Sequence, residues 1–185
     1  MTADYARRVD ARPSLPPTDV IVVVDVANVM GSRPDGWWRD RQAAATRLLA
    51  AFGQVIGQVI VVKTTGPDGS TIRIARVVAV LEGAARGAVS PGAVRVTDVS
   101  GSVTSAVSMG TDSPTDSPVV EVVEAEHDGD TAIVAVTEQL ISASAMSPGI
   151  TDGVLVVTAD RGLRRRLPPD TMLVGPEWMN RLIDR

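Results

Sequence analysis

The order of apolar and polar residues predicts strands that alternate with helices along the chain. Residues 20 to 24 read VIVVV, an apolar run that Asp25 ends. Such a run is typical of a parallel strand that is buried between two layers of helices. From Trp38 to Phe52 apolar residues recur with helical spacing, and Gly53 is expected to end that helix. The first part of the chain thus predicts a central strand and then a helix.

The next segment predicts a hairpin. Val59 to Lys63 and Thr71 to Leu81 are both strand-like, and residues 66–69 between them read GPDG. Proline presets a turn-forming φ and glycine accepts a positive φ, so these four residues predict a tight turn.

The second half repeats the alternation of strand and helix. A helix is predicted to begin at Asp130, and the basic segment RGLRRRL is expected to end at Pro168. The strand-like runs are Val119–Val123, Val154–Val157 and Met172–Val174. Right-handed crossovers place each helix back on the sheet. The predicted class is therefore α/β, with three α/β/α layers and a mainly parallel central sheet.

A chain of 185 residues predicts one domain. Residues 1–18 are polar and proline-rich and predict a flexible tail, so the domain is expected to span residues 19–185. Residues 97–118 contain ten Ser or Thr and predict a flexible insertion. No apolar run is long enough to span a bilayer or resembles a signal core, so a cytoplasmic location is expected.

The residue types and motifs that the sequence lacks exclude several kinds of metal site and catalytic mechanism. The chain has no cysteine and only one histidine, which excludes thiolate metal sites, cysteine nucleophiles and all-histidine metal cages. Neither dinucleotide-binding nor P-loop glycine motifs occur. The net charge of −4 argues against a protein that coats nucleic acid, so any contact with nucleic acid must be local.

Carboxylates at the ends of strands are the strongest chemical signal. Asp25 and Asp160 both end apolar runs, and Asp130 begins the helix after a third run. Ligands of open α/β sheets bind beyond the carboxyl ends of the strands. If the strands are neighbours, the acids converge and a cation such as Mg²⁺ or Mn²⁺ would relieve their repulsion. Taken singly, each aspartate is also typical of a helix cap or a turn. Glu82 and Asp128 are candidates for a fourth acid.

Three motifs in order resemble those of the NYN and PIN-like nucleases. They are VVVDVANV around Asp25 and Asn28, AEHDGDTAI around Asp130, and VVTADR around Asp160, and residues 31–40, GSRPDGWWRD, also resemble a subgroup of bacterial NYN proteins. The resemblance covers most of residues 20–180. It implies a PIN-like fold and a metal-dependent endoribonuclease, with Asp25, Asn28, Asp130 and Asp160 as catalytic residues. The three aspartates would hold Mg²⁺ or Mn²⁺.

Candidate contacts to RNA lie near these motifs. Guanidinium groups position phosphates, and tryptophans stack unpaired bases. The candidate residues are Arg161, Arg164, Arg165 and Arg166, together with Arg33, Trp37, Trp38 and Arg39. A solvated basic helix and tryptophans that anchor the core are the alternative interpretations. The sequence leaves open whether that RNA is single-stranded or structured.

Two other functions compete with a nuclease. A phosphohydrolase that uses Asp25 as nucleophile needs an acid two residues later, where Ala27 stands. A catalytically degenerate PIN-like domain would instead bind RNA or a protein, using the basic segment and the Ser/Thr-rich segment. A protein partner or a homo-oligomer fits either function.

Overall fold

The computed structural model describes residues 16–62, 70–89, 92–95, 119–146 and 153–184. Most of the predicted tail, the predicted turn at residues 66–69 and the predicted insertion at residues 97–118 lie outside these ranges. No helix in the described ranges is both long and apolar enough to cross a membrane.

Strands and helices alternate in the order that the sequence predicts. The strands are β1 (Thr18–Asp25), β2 (Val59–Val62), β3 (Ser70–Leu81), β4 (Gly92–Arg95), β5 (Val119–Glu124), β6 (Gly153–Val157) and β7 (Met172–Val174). The helices are α1 (Val26–Gly31), α2 (Arg41–Gly53), α3 (Gly129–Met146), α4 (Arg161–Arg166) and α5 (Pro176–Ile183). Two 3-10 turns, Trp37–Arg39 and Gly83–Ala85, precede α2 and follow β3.

The strands form one sheet in the order β4-β5-β3-β1-β6-β7, and β2 pairs with β3. β1 pairs in parallel with β3 and β6, β3 with β5, and β6 with β7. β2 and β4 pair antiparallel with their neighbours, so the sheet is mixed and mostly parallel. The predicted α/β class and the predicted hairpin of β2 and β3 are confirmed.

β1 has the central position that its continuous apolar run predicts. Val20, Val22 and Val24 belong to one apolar cluster, which also contains Phe52 of α2 and Met179 of α5. The alternate residues of β1, such as Val23, belong to a second cluster with Ile133 of α3 and Leu163 of α4. Helices therefore cover both faces of β1, because successive side chains of a strand point to opposite faces.

The strand order reverses direction at β1. From β1 the chain builds outward through β3 to β5, and it then returns to β6 and β7 on the other side. In such sheets the two crossovers at the reversal leave a crevice beyond the carboxyl ends of the strands. The carboxyl end of β1 lies at this reversal, between the ends of β3 and β6.

The structure corrects two predicted helix ends. Trp38 lies in a 3-10 turn, and α2 begins only after Asp40, whose Oδ1 accepts a hydrogen bond of 2.9 Å from the Ala43 amide. Gly53 is the last residue of α2 and does not stop the helix with a positive φ; the first positive φ after it is at Gly57. The prediction was wrong because helical spacing alone cannot separate a capped turn from the helix itself.

A third correction concerns α3, and three elements were not predicted at all. α3 begins at Gly129, one residue before the predicted start at Asp130, because Asp128 accepts the Thr131 amide at 3.0 Å. The unpredicted elements are α1, β4 and α5. All three are short, and short elements carry too few residues for a hydrophobic period to show.

Candidate functional site

Four carboxyl groups lie at the carboxyl edge of the parallel strands. Asp25 ends β1, Glu82 follows β3, Asp160 follows β6, and Asp130 lies in the first turn of α3, after β5. The strand order β5-β3-β1-β6 arranges these acids along the edge as Asp130, Glu82, Asp25 and Asp160. We call these four residues the acidic edge.

The carboxylates of the acidic edge repel one another. Burial raises the pKa of Asp25, and the nearby charges of Glu82 and Asp130 raise it further. Loss of solvation raises the pKa of Asp130, and the charges of Asp160, Asp128 and Glu82 add to that effect. Neighbouring like charges disfavour simultaneous ionisation, and a bound cation would relieve that repulsion.

The structure does not arrange three of these four side chains to ligate one ion directly. In the described part of the chain, no group of three or more Asp, Glu or His side chains is arranged to hold a metal ion. Mg²⁺ usually contacts only one or two carboxylates in proteins and keeps water on its other positions.

Asp25 is the most enclosed member of the acidic edge, with 7% of its surface exposed. Its Oδ1 accepts a hydrogen bond of 3.0 Å from the Asn28 amide and so caps α1. Its Oδ2 accepts a hydrogen bond of 2.9 Å from the hydroxyl of Thr158. Both oxygens are thus fixed in direction, so this carboxylate is a pre-organised group rather than a mobile one.

Thr158 and Asn28 connect the loop after β6 to the end of β1. The Thr158 hydroxyl donates to Asp25 and accepts the Asp160 amide at 3.1 Å, and the side chain is fully buried. The Asn28 Oδ1 accepts the Ala159 amide at 3.0 Å. Asn28, predicted as catalytic, therefore holds backbone in place. Thr158 was not predicted as a site residue, although it stands in the Thr-x-Asp motif.

The structure separates the two candidates for a fourth acid. Both oxygens of Asp128 are used at the start of α3, where they accept the amide and the hydroxyl of Thr131 at 3.0 and 2.5 Å. These bonds lower the pKa of Asp128. Glu82 lies between Asp25 and Asp130 in the strand order, and its charge raises the pKa of both. Glu82 is the better candidate.

Gly129 sets the position of Glu82. Its amide donates a hydrogen bond of 2.9 Å to Glu82 Oε2. A Cβ atom on residue 129 would overlap that oxygen and lie 2.9 Å from Glu82 Cδ. Only glycine allows the carboxylate to approach the start of α3 so closely.

Asp160 begins α4 and is also held by backbone. Its Oδ1 accepts the amides of Gly162 and Leu163 at 2.5 and 2.9 Å. These two bonds lower the pKa of Asp160, and the charge of Arg165 lowers it further. Ligation of a cation by Asp160 would use Oδ2, because Oδ1 already accepts the two amides.

The four arginines predicted to contact RNA differ in how far their guanidinium groups are already engaged within the protein. Arg164 donates to the carbonyl oxygens of Thr158 and Val174, which fixes it to the ends of β6 and β7. Arg166 lies 3.6 Å from Asp130 Oδ2 and donates to the Thr131 hydroxyl at 2.9 Å. Arg161 and Arg165 are exposed. Of the four, these two are the better placed to meet a phosphate.

The second group of predicted RNA contacts, around Trp37 and Trp38, also contains both residues held within the fold and exposed residues. Arg33 donates to Asn180 and pairs with Asp184 at 2.9 Å, which joins the end of α1 to α5. Trp37 is half-buried and packs against the first apolar cluster, whereas Trp38 is 58% exposed. Arg39 is exposed beside it.

No protein-family model, curated protein or solved structure matches this chain. The resemblance of its motifs to those of the NYN and PIN-like nucleases therefore stays a prediction.

We expect Thr158→Val to lower the free energy of unfolding by about 1–3 kcal/mol, because it leaves the buried Asp25 Oδ2 and the Asp160 amide without their partner. Urea unfolding at pH 7 in the presence of EDTA measures this loss. Thr137→Val is the matched control, since that hydroxyl is equally buried but bonds only the Ile133 carbonyl of its own helix at 2.7 Å. Equal losses of unfolding free energy would show that the contact between Thr158 and Asp25 stabilises the fold no more than an ordinary hydrogen bond of a buried hydroxyl does.

Proposed function

We propose that this chain is a divalent-metal-dependent ribonuclease with a three-layer, PIN-like fold. The observation that carries the proposal is the acidic edge, since Asp25, Glu82, Asp130 and Asp160 all follow the carboxyl ends of neighbouring parallel strands at the reversal of strand order. Helices on both faces of β1 and the return of the chain to β6 after β5 agree with a PIN-like arrangement. The order of the three motifs along the chain supports the same family.

The donor set fits a hard cation. The acidic edge offers carboxylate oxygen without histidine or cysteine, which suits Mg²⁺ or Mn²⁺ rather than zinc. Such an ion, once bound, lowers the pKa of a water molecule and offsets the charge of a phosphate. Phosphodiester hydrolysis is the reaction that needs both effects.

The chain's own residues supply position and charge. Asp25 would be the principal ligand, because it is the most enclosed acid of the acidic edge and its strand lies between those that precede Glu82 and Asp160. Glu82 and Asp130 lie on one side of it, and Asp160 lies on the other. A substrate phosphate would meet the exposed Arg161 and Arg165, which offset the repulsion between RNA and the acids.

Cleavage of labelled RNA tests the proposal. The wild-type protein is expected to cut single-stranded RNA with Mg²⁺ or Mn²⁺, to stop when EDTA is added, and to resume when the metal is restored in excess. The double variant Asp25→Asn, Asp160→Asn, purified in parallel, controls for contaminating nuclease. Equal cleavage by both proteins, or by neither, would overturn the proposal. RNA binding without cleavage would instead indicate the degenerate binding module.

A further inference from the structure

The 3-10 turn before α2 exposes a large aromatic side chain. Trp38 is 58% exposed, although the whole chain has only three Trp, one Tyr and one Phe. Phe52 is fully buried, and Trp37 and Trp178 pack against the first apolar cluster. The exposed indole presents a flat apolar face to solvent, which a planar ligand could cover.

The indole of Trp38 is held in place. The ring of Trp37 lies 6.0 Å from that of Trp38 at an angle of 84°, which is an edge-to-face contact. The guanidinium of Arg41 lies over the Trp37 ring at 5.4 Å. Trp37 itself packs against the core. The contact with the anchored Trp37 ring restricts the orientations of the Trp38 ring, which lowers the entropic cost of stacking a ligand on it.

This aromatic turn and the acidic edge lie at the same end of the sheet. The first turns of α2 contact the segment that follows Glu82. Gln42 Nε2 donates to the Arg86 carbonyl at 3.1 Å, and the Thr46 hydroxyl donates to the Ala88 carbonyl at 3.3 Å. The turn Trp37–Arg39 comes directly before α2, so it lies toward the carboxyl end of β3 rather than at the opposite end of the strands.

We propose that Trp38 stacks an unpaired nucleobase of an RNA strand and that the exposed Arg39 and Arg41 contact its flanking phosphates. The inference deepens the proposed ribonuclease and rests on it for the choice of RNA. Stacking on an aromatic ring accepts any base, whereas the bases of a duplex are already stacked on one another. The substrate strand is therefore single-stranded where it passes this turn. The local cations explain how a chain with a net charge of −4 holds a polyanion.

RNA binding by the Asp25→Asn variant, which should not cut the probe, tests the stacking. The probe is a labelled strand of about 12 nucleotides, used alone and annealed to its complement. Adding Trp38→Ala is expected to weaken binding of the single strand about 5- to 150-fold and to leave duplex binding unchanged. Trp38→Phe should restore most of the affinity. Val61→Ala is the control, because Val61 is an apolar residue of β2 that is 65% exposed.

Salt dependence tests the phosphate contacts. Arg39→Gln is expected to reduce the slope of log affinity against log salt by about 0.7, whereas Trp38→Ala should leave that slope unchanged. Equal affinities of the Trp38→Ala and Val61→Ala variants for the single strand would overturn the inference. So would a failure of the Asp25→Asn protein itself to bind RNA. If the wild-type protein never cleaves RNA but RNA binding still depends on Trp38, the proposed ribonuclease activity is wrong and the stacking contact is supported.

Discussion

Asp25→Asn is expected to reduce metal-dependent RNA cleavage on the order of 100- to 1,000-fold, since it removes the charge of the best-positioned ligand. The Asn side chain keeps an oxygen for the Asn28 amide and has the same shape, so the fold should persist. Initial rates under single-turnover conditions measure the loss. Glu138→Gln, on the exposed side of α3, is the matched control and should cut at the wild-type rate.

The same substitution has an expected effect on stability that depends on pH. The folded-state pKa of Asp25 is raised, chiefly by burial, so the native state binds its proton more tightly than the unfolded state does. The contribution of Asp25 to the stability of the metal-free wild type therefore falls as pH rises from the ordinary pKa of 3.8 through the raised pKa. The Asp25→Asn variant has no buried carboxylate to ionise at this position. It should therefore be at least as stable as the metal-free wild type at pH 7.

Urea unfolding in EDTA measures that difference. The advantage of Asp25→Asn over wild type is expected to shrink as pH falls through the raised pKa of Asp25 and to vanish below 3.8. A variant that is much less stable than wild type at pH 7 would mean that Asp25 serves the fold rather than a metal.

Gly129→Ala is expected to reduce cleavage about 10- to 100-fold, which is the usual effect of disturbing a group that orients a metal ligand. The new methyl group would push the Glu82 carboxylate away from the start of α3, because it would overlap Oε2. Helix propensity favours Ala over Gly by up to about 1 kcal/mol, so stability should change little.

Gly31→Ala is the control for Gly129→Ala, because a Cβ atom at residue 31 meets nothing within 4 Å. Cleavage rates and unfolding curves of both variants separate loss of activity from loss of structure. Full activity of a folded Gly129→Ala protein would exclude Glu82 from the site.

Much of the sheet could be predicted from local patterns. β1 and β6 contain continuous apolar runs rich in valine, which are typical of buried parallel strands, and the hairpin of β2 and β3 is marked by its turn residues. α1 could not be predicted, because Asp25 both ends β1 and caps the helix that begins at the next residue. β4 has four residues, which is too short for an alternating pattern to show.

The candidate site was harder to predict, because it depends on which strands are neighbours. The sequence places Asp25 and Asp160 after apolar runs, but only the strand order puts Glu82 between Asp25 and Asp130. The contact of Thr158 with Asp25 joins residues 133 positions apart, and no local pattern contains such a contact. Likewise, the fixing of Arg164 to backbone carbonyls depends on how α4 packs beside β7.

Manganese binding, followed by electron paramagnetic resonance of the free ion, tests the central claim most directly. The wild-type protein is expected to bind Mn²⁺ saturably and to release it when Mg²⁺ is added in excess. The double variant Asp25→Asn, Asp160→Asn is expected to leave the Mn²⁺ signal at its protein-free intensity. Equal binding by the two proteins, or no binding by the wild type, would contradict a metal site at the acidic edge.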